Sequence, residues 1–350
     1  MTAFRDIIGQ EQAKGHVRSV LATGRMTHAA LITGETGMGK KMFAKTWAQA
    51  ILCEDRQMVF GFPEPCGKCR SCVMAEAGTH PEIRILTHEK AGYGVGEIRD
   101  QLVNDAALKP MISDYRIYII PEAEKLNIPC QNALLKTLEE PPSYVVIMLL
   151  ASNAGTLLPT ILSRVIELPM RPVSDEDIVQ LLMKEEKVAD YHARECAALA
   201  EGNVGRAIRY AGDADFRSRP ERVIRLLSDI NDTATPDIME AVRDILIPRG
   251  DDDSPAKKKR NLKDAGTDEL LSFLAILRTV VRDIMVYKAG APEKLVFKKH
   301  EEYYEKSAAM TWPQLFEKTA LIDEAEDYLS SNVNTELAIE MLMLGMRTNQ

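Results

Sequence analysis

Hydrophobic residues follow two rhythms along the chain, and the change between them divides it. In the first half, short apolar runs occur at Ala29 to Ile32, Tyr115 to Ile120 and Val145 to Leu150. Such runs predict strands buried on both faces, as inside a parallel sheet. Glu82 to Leu86 and Val165 to Leu168 predict further strands. Between them the spacing changes to three and four. Ala13, Val17, Val20 and Leu21 share one helix face, as do Phe43, Ala44, Trp47, Ala48 and Ile51, and Val95 to Leu102 starts another helix. Asn127 is placed to cap a helix with Pro129 in its first turn, running through Ala133, Leu134, Thr137 and Leu138 to the break at Pro141-Pro142. Beyond Pro172 the pattern is helical. Helices are expected from Asp175, from Gly202 to Ala207, over Leu270 to Tyr287, and over Asn332 to Met346.

A chain of 350 residues exceeds one ordinary core and implies two or three domains. A hydrophobic content of 45% with 27% charged residues fits a globular protein. No apolar run approaches membrane-spanning length and the N-terminus lacks a signal-like core, so a cytoplasmic location with no membrane partner is expected. The net charge of −8 excludes a whole-surface nucleic-acid binder. The stretch Pro248 to Arg260 reads as a charged, exposed loop whose acidic and basic halves offset one another.

The first candidate chemistry follows the Ala29 to Ile32 strand. Gly34-Glu35-Thr36-Gly37-Met38-Gly39-Lys40 has the spacing of a phosphate loop. Gly34, Gly37 and Gly39 let the backbone curl around an anion, and Lys40 can reach the outer phosphates. The next residue of an active loop is a Ser or Thr that ligates Mg²⁺. Here it is Lys41, which has no lone pair while charged. Tyr115 to Ile120, read as the strand beside the loop, should end in an acidic metal ligand but ends in Pro121, although Glu122 is kept as the residue that would orient water. Phosphoryl transfer without those ligands should be slow or absent, while ATP or ADP can still bind through Lys40.

Cys66, Cys69 and Cys72 form two consecutive C-x-x-C steps, with Cys53 upstream. Four thiolates make a closed tetrahedral site that favours structural Zn²⁺, with an iron–sulfur cluster as the other soft-ligand reading and unrelated thiols as the third. Cys130 and Cys196 stand apart as ordinary buried residues. His80 reads as a hydrogen-bonded structural residue. Asn153, at the end of the Val145 to Leu150 strand, lies where open α/β sheets place ligands, and by itself reads as a turn residue.

The phosphate loop, the cysteines, Ile119 to Lys125, Asn132 to Pro142 and Leu158 to Arg164 together resemble bacterial clamp-loader subunits of the AAA+ superfamily. The resemblance covers roughly the first half of the chain. It implies an AAA+ P-loop domain over residues 1–170 with a zinc module at about 53–72, a small helical lid at 171–215, and an all-α collar at 216–350. It also implies that Asn153 senses nucleotide, that Arg206 belongs to the lid, and that Arg164 is an arginine finger donated in trans. Partners implied are gamma/tau and delta clamp-loader subunits, the sliding clamp, and primer-template DNA reached through the complex. Lys41 and Pro121 place the chain nearer the branch with a degenerate ATP site than the hydrolysing gamma/tau branch. Two other readings stand beside it: a motor ATPase with Glu122 or Glu124 holding magnesium, and a scaffold whose pocket and arginine are relics.

Overall fold

The computed structural model describes residues 3–59, 61–88, 92–213, 215–247, 262, 265–330 and 334–347. The charged stretch Pro248 to Arg260 lies outside the described residues, as does the start of the expected Asn332 to Met346 helix.

The described residues form two units: one spans residues up to Asp177 together with Gly202–Gly205, and the other spans Ile178–Glu201 and the chain from Arg206 onward. The first is α/β. Its strands are β1 (Ala29–Thr33), β2 (Gln57–Val59), β3 (Phe62–Glu64), β4 (Ile83–Ile85), β5 (Arg116–Ile120), β6 (Val145–Ala151) and β7 (Ile166–Pro169). Among the described residues, five of them make a parallel sheet in the order β4-β5-β6-β1-β7, while β2 and β3 form an antiparallel hairpin. Every residue of β1, β5 and β6 is buried, as their apolar runs require when helices cover both faces. The sheet order corrects one expectation. β6 lies between β1 and β5, with Leu31 opposite Leu149 and Ile119 opposite Met148, so the strand ending at Pro121 is one place removed from the phosphate loop.

The helices of this unit are α1 (Glu11–Thr23), α2 (Lys40–Leu52), α3 (Arg70–Glu76), α4 (Val95–Ile98), α5 (Ile128–Glu139) and α6 (Pro159–Leu162). One face of the sheet buries Phe4, Val17, Phe43 and Trp47. The other buries Tyr93, Leu102, Leu134 and Ile161. Asn127 caps α5 as its position suggested, its Oδ1 accepting the Cys130 N–H at 2.9 Å. The helix expected from Val95 continues past α4 as a wider π turn over Arg99–Asn104.

Arg116, inside the β5 run, is buried because Glu82 is buried beside it. The Arg116 Nε donates to Glu82 at 2.9 Å, and the Met111 N–H donates to the same carboxylate at 2.6 Å. A charge inside the protein needs such partners.

The second unit is helical. It contains α7 (Asp175–Glu185) from Ile178 onward, α8 (Asp190–Ala200), α9 (Val204–Gly212) from Arg206 onward, α10 (Arg219–Asp229), α11 (Thr235–Leu246), α12 (Thr267–Lys288), α13 (Glu301–Ser307), α14 (Trp312–Ser330) and α15 (Thr335–Gly345). Its buried residues include Phe273, Ile276, Val280 and Ile284 of α12. Asp283 of α12 is also buried and accepts backbone N–H groups from Val296 and Phe297 at 3.0 and 2.9 Å. No helix among the described residues is long and apolar enough to cross a membrane.

Candidate phosphate loop, cysteine cluster and exposed arginine

β1 delivers the chain to Gly34, whose N–H donates to the Ala151 carbonyl at 3.2 Å, so the end of β6 abuts the loop. Gly37 and Gly39 then adopt φ of +97° and +84°, a region in which a side chain is strained, before α2 starts at Lys40. The loop is braced from outside. Asn203 Nδ2 donates to the Thr36 carbonyl at 2.9 Å, and the Gly205 N–H donates to the Gly37 carbonyl at 3.0 Å.

The Lys40 ammonium donates to the carbonyls of Gly34 and Glu35, the second at 2.9 Å. Burial lowers its pKa, while Glu124 and Glu35 act in the opposite sense. The loop thus places a lysine and the N-terminus of α2 together, the combination that holds a phosphate. Lys41 points into solvent as the next residue.

At the end of β5, the Pro121 carbonyl accepts the Tyr93 hydroxyl at 2.6 Å. Glu122 follows with φ +48°, and its carboxylate accepts from Lys125 at 2.8 Å and from His88 at 3.1 Å. Those contacts, Lys125 foremost, hold its carboxyl below the ordinary range. Glu124 accepts the Ser152 N–H at 3.3 Å, and its negative charge favours the Lys40 ammonium. Sequence reasoning had named Glu124 only as an alternative metal holder. No local pattern distinguishes it from Glu122, because what places it near Lys40 is the packing of β5 and β6 against the loop.

Asn153 sits two residues beyond β6. Its Oδ1 accepts the Gly155 N–H at 2.8 Å, the turn role its sequence position suggested. Arg206 is half-buried at the beginning of α9, in the second unit.

The four cysteines do come together. Their sulfur atoms all lie within 4.8 Å of one another. Thiolates around a tetrahedral ion with metal–sulfur bonds of about 2.3 Å stand about 3.8 Å apart, so the cluster fits such an ion with little movement. Cys53 follows α2, the β2–β3 hairpin carries the chain to Cys66, Cys69 caps α3, and Cys72 lies within it. Backbone N–H groups of Cys66, Cys69 and Cys72 donate to the sulfurs of Cys53, Cys66 and Cys69 at 3.3, 3.3 and 3.4 Å. Burial pushes the Cys53 and Cys72 thiols up. Burial acts the same way on Cys66, but donors from Lys68, Cys69 and the neighbouring thiols outweigh it and leave that group at about 7.

Outside the sulfurs, Glu54 accepts from the Ser71 hydroxyl at 3.2 Å, and His80 Nε2 lies 3.4 Å from the same hydroxyl. His80 Nδ1 accepts the Glu82 N–H at 3.1 Å, so the proton resides on Nε2 and the ring is structural. The cluster could hold a metal ion such as zinc. Cys130 and Cys196 are buried apart from it.

Arg164 follows α6. Its Nη1 donates to the Thr160 carbonyl at 2.7 Å and the Ser163 hydroxyl at 3.1 Å, and its Nη2 pairs with Glu139 at 2.7 Å. The side chain is 34% exposed.

The chain is similar to known proteins. A family model described as DNA polymerase III, delta subunit, matches residues 9–174. The chain is 27% identical to DNA polymerase III subunit delta' of Bacillus subtilis over 322 residues, covering 91% of each. It is 34% identical to the delta' subunit of Pseudomonas aeruginosa over 202 residues, covering 56% of this chain and 59% of that one. It is 33% identical to DNA polymerase III subunit tau of B. subtilis over 181 residues, 52% of this chain and 31% of that one. The B. subtilis delta' likeness extends over nearly the whole of both chains and the family model spans the phosphate loop, the cysteines and Arg164, and on these matches the chain belongs to the DNA polymerase III delta' subunit family.

Proposed function

We propose that this chain is a clamp-loader subunit that turns over little or no ATP itself and lends Arg164 to ATP held by a neighbouring gamma/tau subunit. One observation carries the reading: the two positions expected to ligate Mg²⁺, the residue after Lys40 and the residue that closes β5, are both unfit to do so. Lys41 is a solvated cation, and the side chain of Pro121 has no oxygen. Magnesium takes oxygen ligands, and it supplies much of the charge neutralisation that phosphoryl transfer requires. Lys40 and the α2 N-terminus leave a cradle in which ATP or ADP binds without efficient hydrolysis.

Arg164 needs none of that machinery. A guanidinium at the surface, stiffened by its own helix turn, suits the role of a group presented to a neighbour's phosphate. Zinc on Cys53, Cys66, Cys69 and Cys72 would be structural, since four thiolates close the coordination sphere. Asn153 and Arg206 are read as remnants of nucleotide sensing. The lid is read over residues 171–215 and the collar over 216–350. The assembled complex, with gamma/tau and delta subunits, places the sliding clamp on primer-template DNA in the cytoplasm.

The test is reconstitution with gamma/tau, delta, clamp and primed DNA. An Arg164→Ala complex should assemble normally and lose most of its clamp- and DNA-stimulated ATP turnover, an arginine finger contributing about 10³–10⁵ in rate. Unchanged turnover refutes the assignment.

A further inference from the structure

The carboxylate on Arg164 stands where helix electrostatics would not put one. Glu139 is the last residue of α5, at the negative end of its dipole, and Glu140 follows it. Acidic groups there are unfavourable unless a cation answers them. The answering cation is Arg164, whose Nη2 lies 2.7 Å from Glu139 Oε1. On its other side the guanidinium is held by the Thr160 carbonyl and the Ser163 hydroxyl. These contacts use three of its five N–H donors and leave two for an incoming anion. The plane of the group is therefore fixed from two directions by α5 and α6 before any phosphate arrives.

We infer that Glu139 is the positioning residue for Arg164, the counter-ion that sets the guanidinium in the orientation offered to a neighbouring subunit's phosphate. This rests on the arginine-finger reading above. The pair is too exposed, with side chains 34% and 48% accessible, to be there for stability. Its effect is to order a long side chain in advance, so that the ordering is not charged to the transition state. Glu139 itself touches no nucleotide.

The experiment compares Glu139→Gln, Glu139→Asp, Arg164→Ala and the Glu139→Gln/Arg164→Ala pair in the reconstituted complex. Glu139→Gln should lower kcat about tenfold with KM for ATP unchanged, and Glu139→Asp should recover part of the loss. The melting temperature of the free chain should shift by less than about 2 °C in Glu139→Gln, because a weak surface pair and an unfavourable dipole contact are lost together. On the Arg164→Ala background Glu139→Gln should change nothing further.

A Glu139→Gln complex with unchanged kcat beside a crippled Arg164→Ala complex overturns the positioning role and leaves the finger standing. Equal losses from Glu139→Gln on both backgrounds also overturn it. An Arg164→Ala complex with full turnover removes the finger itself.

Discussion

Asn203 Oδ1 lies 2.4 Å from the point a Cβ on Gly37 would occupy. The contact joins residues far apart in sequence and makes the phosphate loop depend on the segment 202–205 that braces it. Gly37→Ala therefore meets two obstacles, a φ of +97° and a side chain already in place, whereas Gly39→Ala meets the φ alone, with Met42 Cε at 3.8 Å as its nearest neighbour. The φ strain costs about 1–3 kcal/mol in either case, and displacing Asn203 from the Thr36 carbonyl adds about 1 kcal/mol at Gly37. Urea unfolding should rank the variants wild type, Gly39→Ala, Gly37→Ala in falling stability; equal losses would show that Asn203 yields freely.

The cysteine cluster predicts a different kind of loss. Cys72→Ser removes one of four soft ligands and should release the metal, with a fall in melting temperature of more than about 5 °C. Cys130→Ser alters a buried thiol outside the cluster and should leave the metal in place. Elemental analysis of the purified chains reads both outcomes. Full metal content in Cys72→Ser would remove that residue from the ligand set.

These two sites show what the sequence revealed and what it did not. The glycine spacing and the C-x-x-C steps are local, because a loop around an anion and a grip on one ion both work within a few residues. The buried strands were legible for the same reason: their unbroken apolar runs state that both faces are covered. Pairing between distant segments left no such trace. β6 separates β1 from β5, and no pattern within either strand announces the order. The β2–β3 hairpin was missed because Gln57-Met58-Val59 lies largely at the surface and has no apolar face to read. Glu82 read as the first residue of a strand with nothing to mark it as an ion-pair partner, yet it is fully buried against Arg116, 34 residues away. Asn203 gave no sign of bracing Thr36, 167 residues back.

Lys318 of α14 makes the stability of the helical unit depend on alkaline pH. It is buried and donates to the carbonyls of Gly345, Met346 and Arg347 at 3.4, 2.6 and 3.2 Å, closing the end of α15. Burial pushes its ammonium down to about 8, below the ordinary 10.5. Between those values the unfolded chain binds more protons than the folded one, so this group's contribution to stability rises with pH. The gain should be about 2 kcal/mol between about pH 7.5 and about pH 9.5. Subtracting the unfolding free energies of Lys318→Met from those of the wild type at both pH values isolates it from other titrations. A difference that does not move with pH contradicts the burial of a charged amine there.

Restoring the metal ligands tests what silences the phosphate loop. Lys41→Thr returns a hydroxyl to the first turn of α2 at an exposed position, where the helix loses only about 0.5 kcal/mol of propensity. Pro121→Asp returns a carboxylate to the end of β5, and the Tyr93 contact, made to the backbone carbonyl, can survive the exchange. Turnover is the wrong readout for the free chain, because no neighbour supplies an arginine to it. Magnesium-dependent affinity for ATP is the right one, since an ion held by the protein and bridging two phosphates tightens binding directly. The doubly substituted chain should bind ATP at least about tenfold more tightly with Mg²⁺ than with EDTA, a difference of about 1.4 kcal/mol, and each single change should give much less because the ion needs both ligands. Fluorescence titration with a labelled ATP would measure it. If the double variant binds ATP well but gains nothing from magnesium, missing ligands are not what distinguishes this pocket, and the Lys40 contacts with Gly34 and Glu35 become the feature that keeps it closed to metal-bound nucleotide.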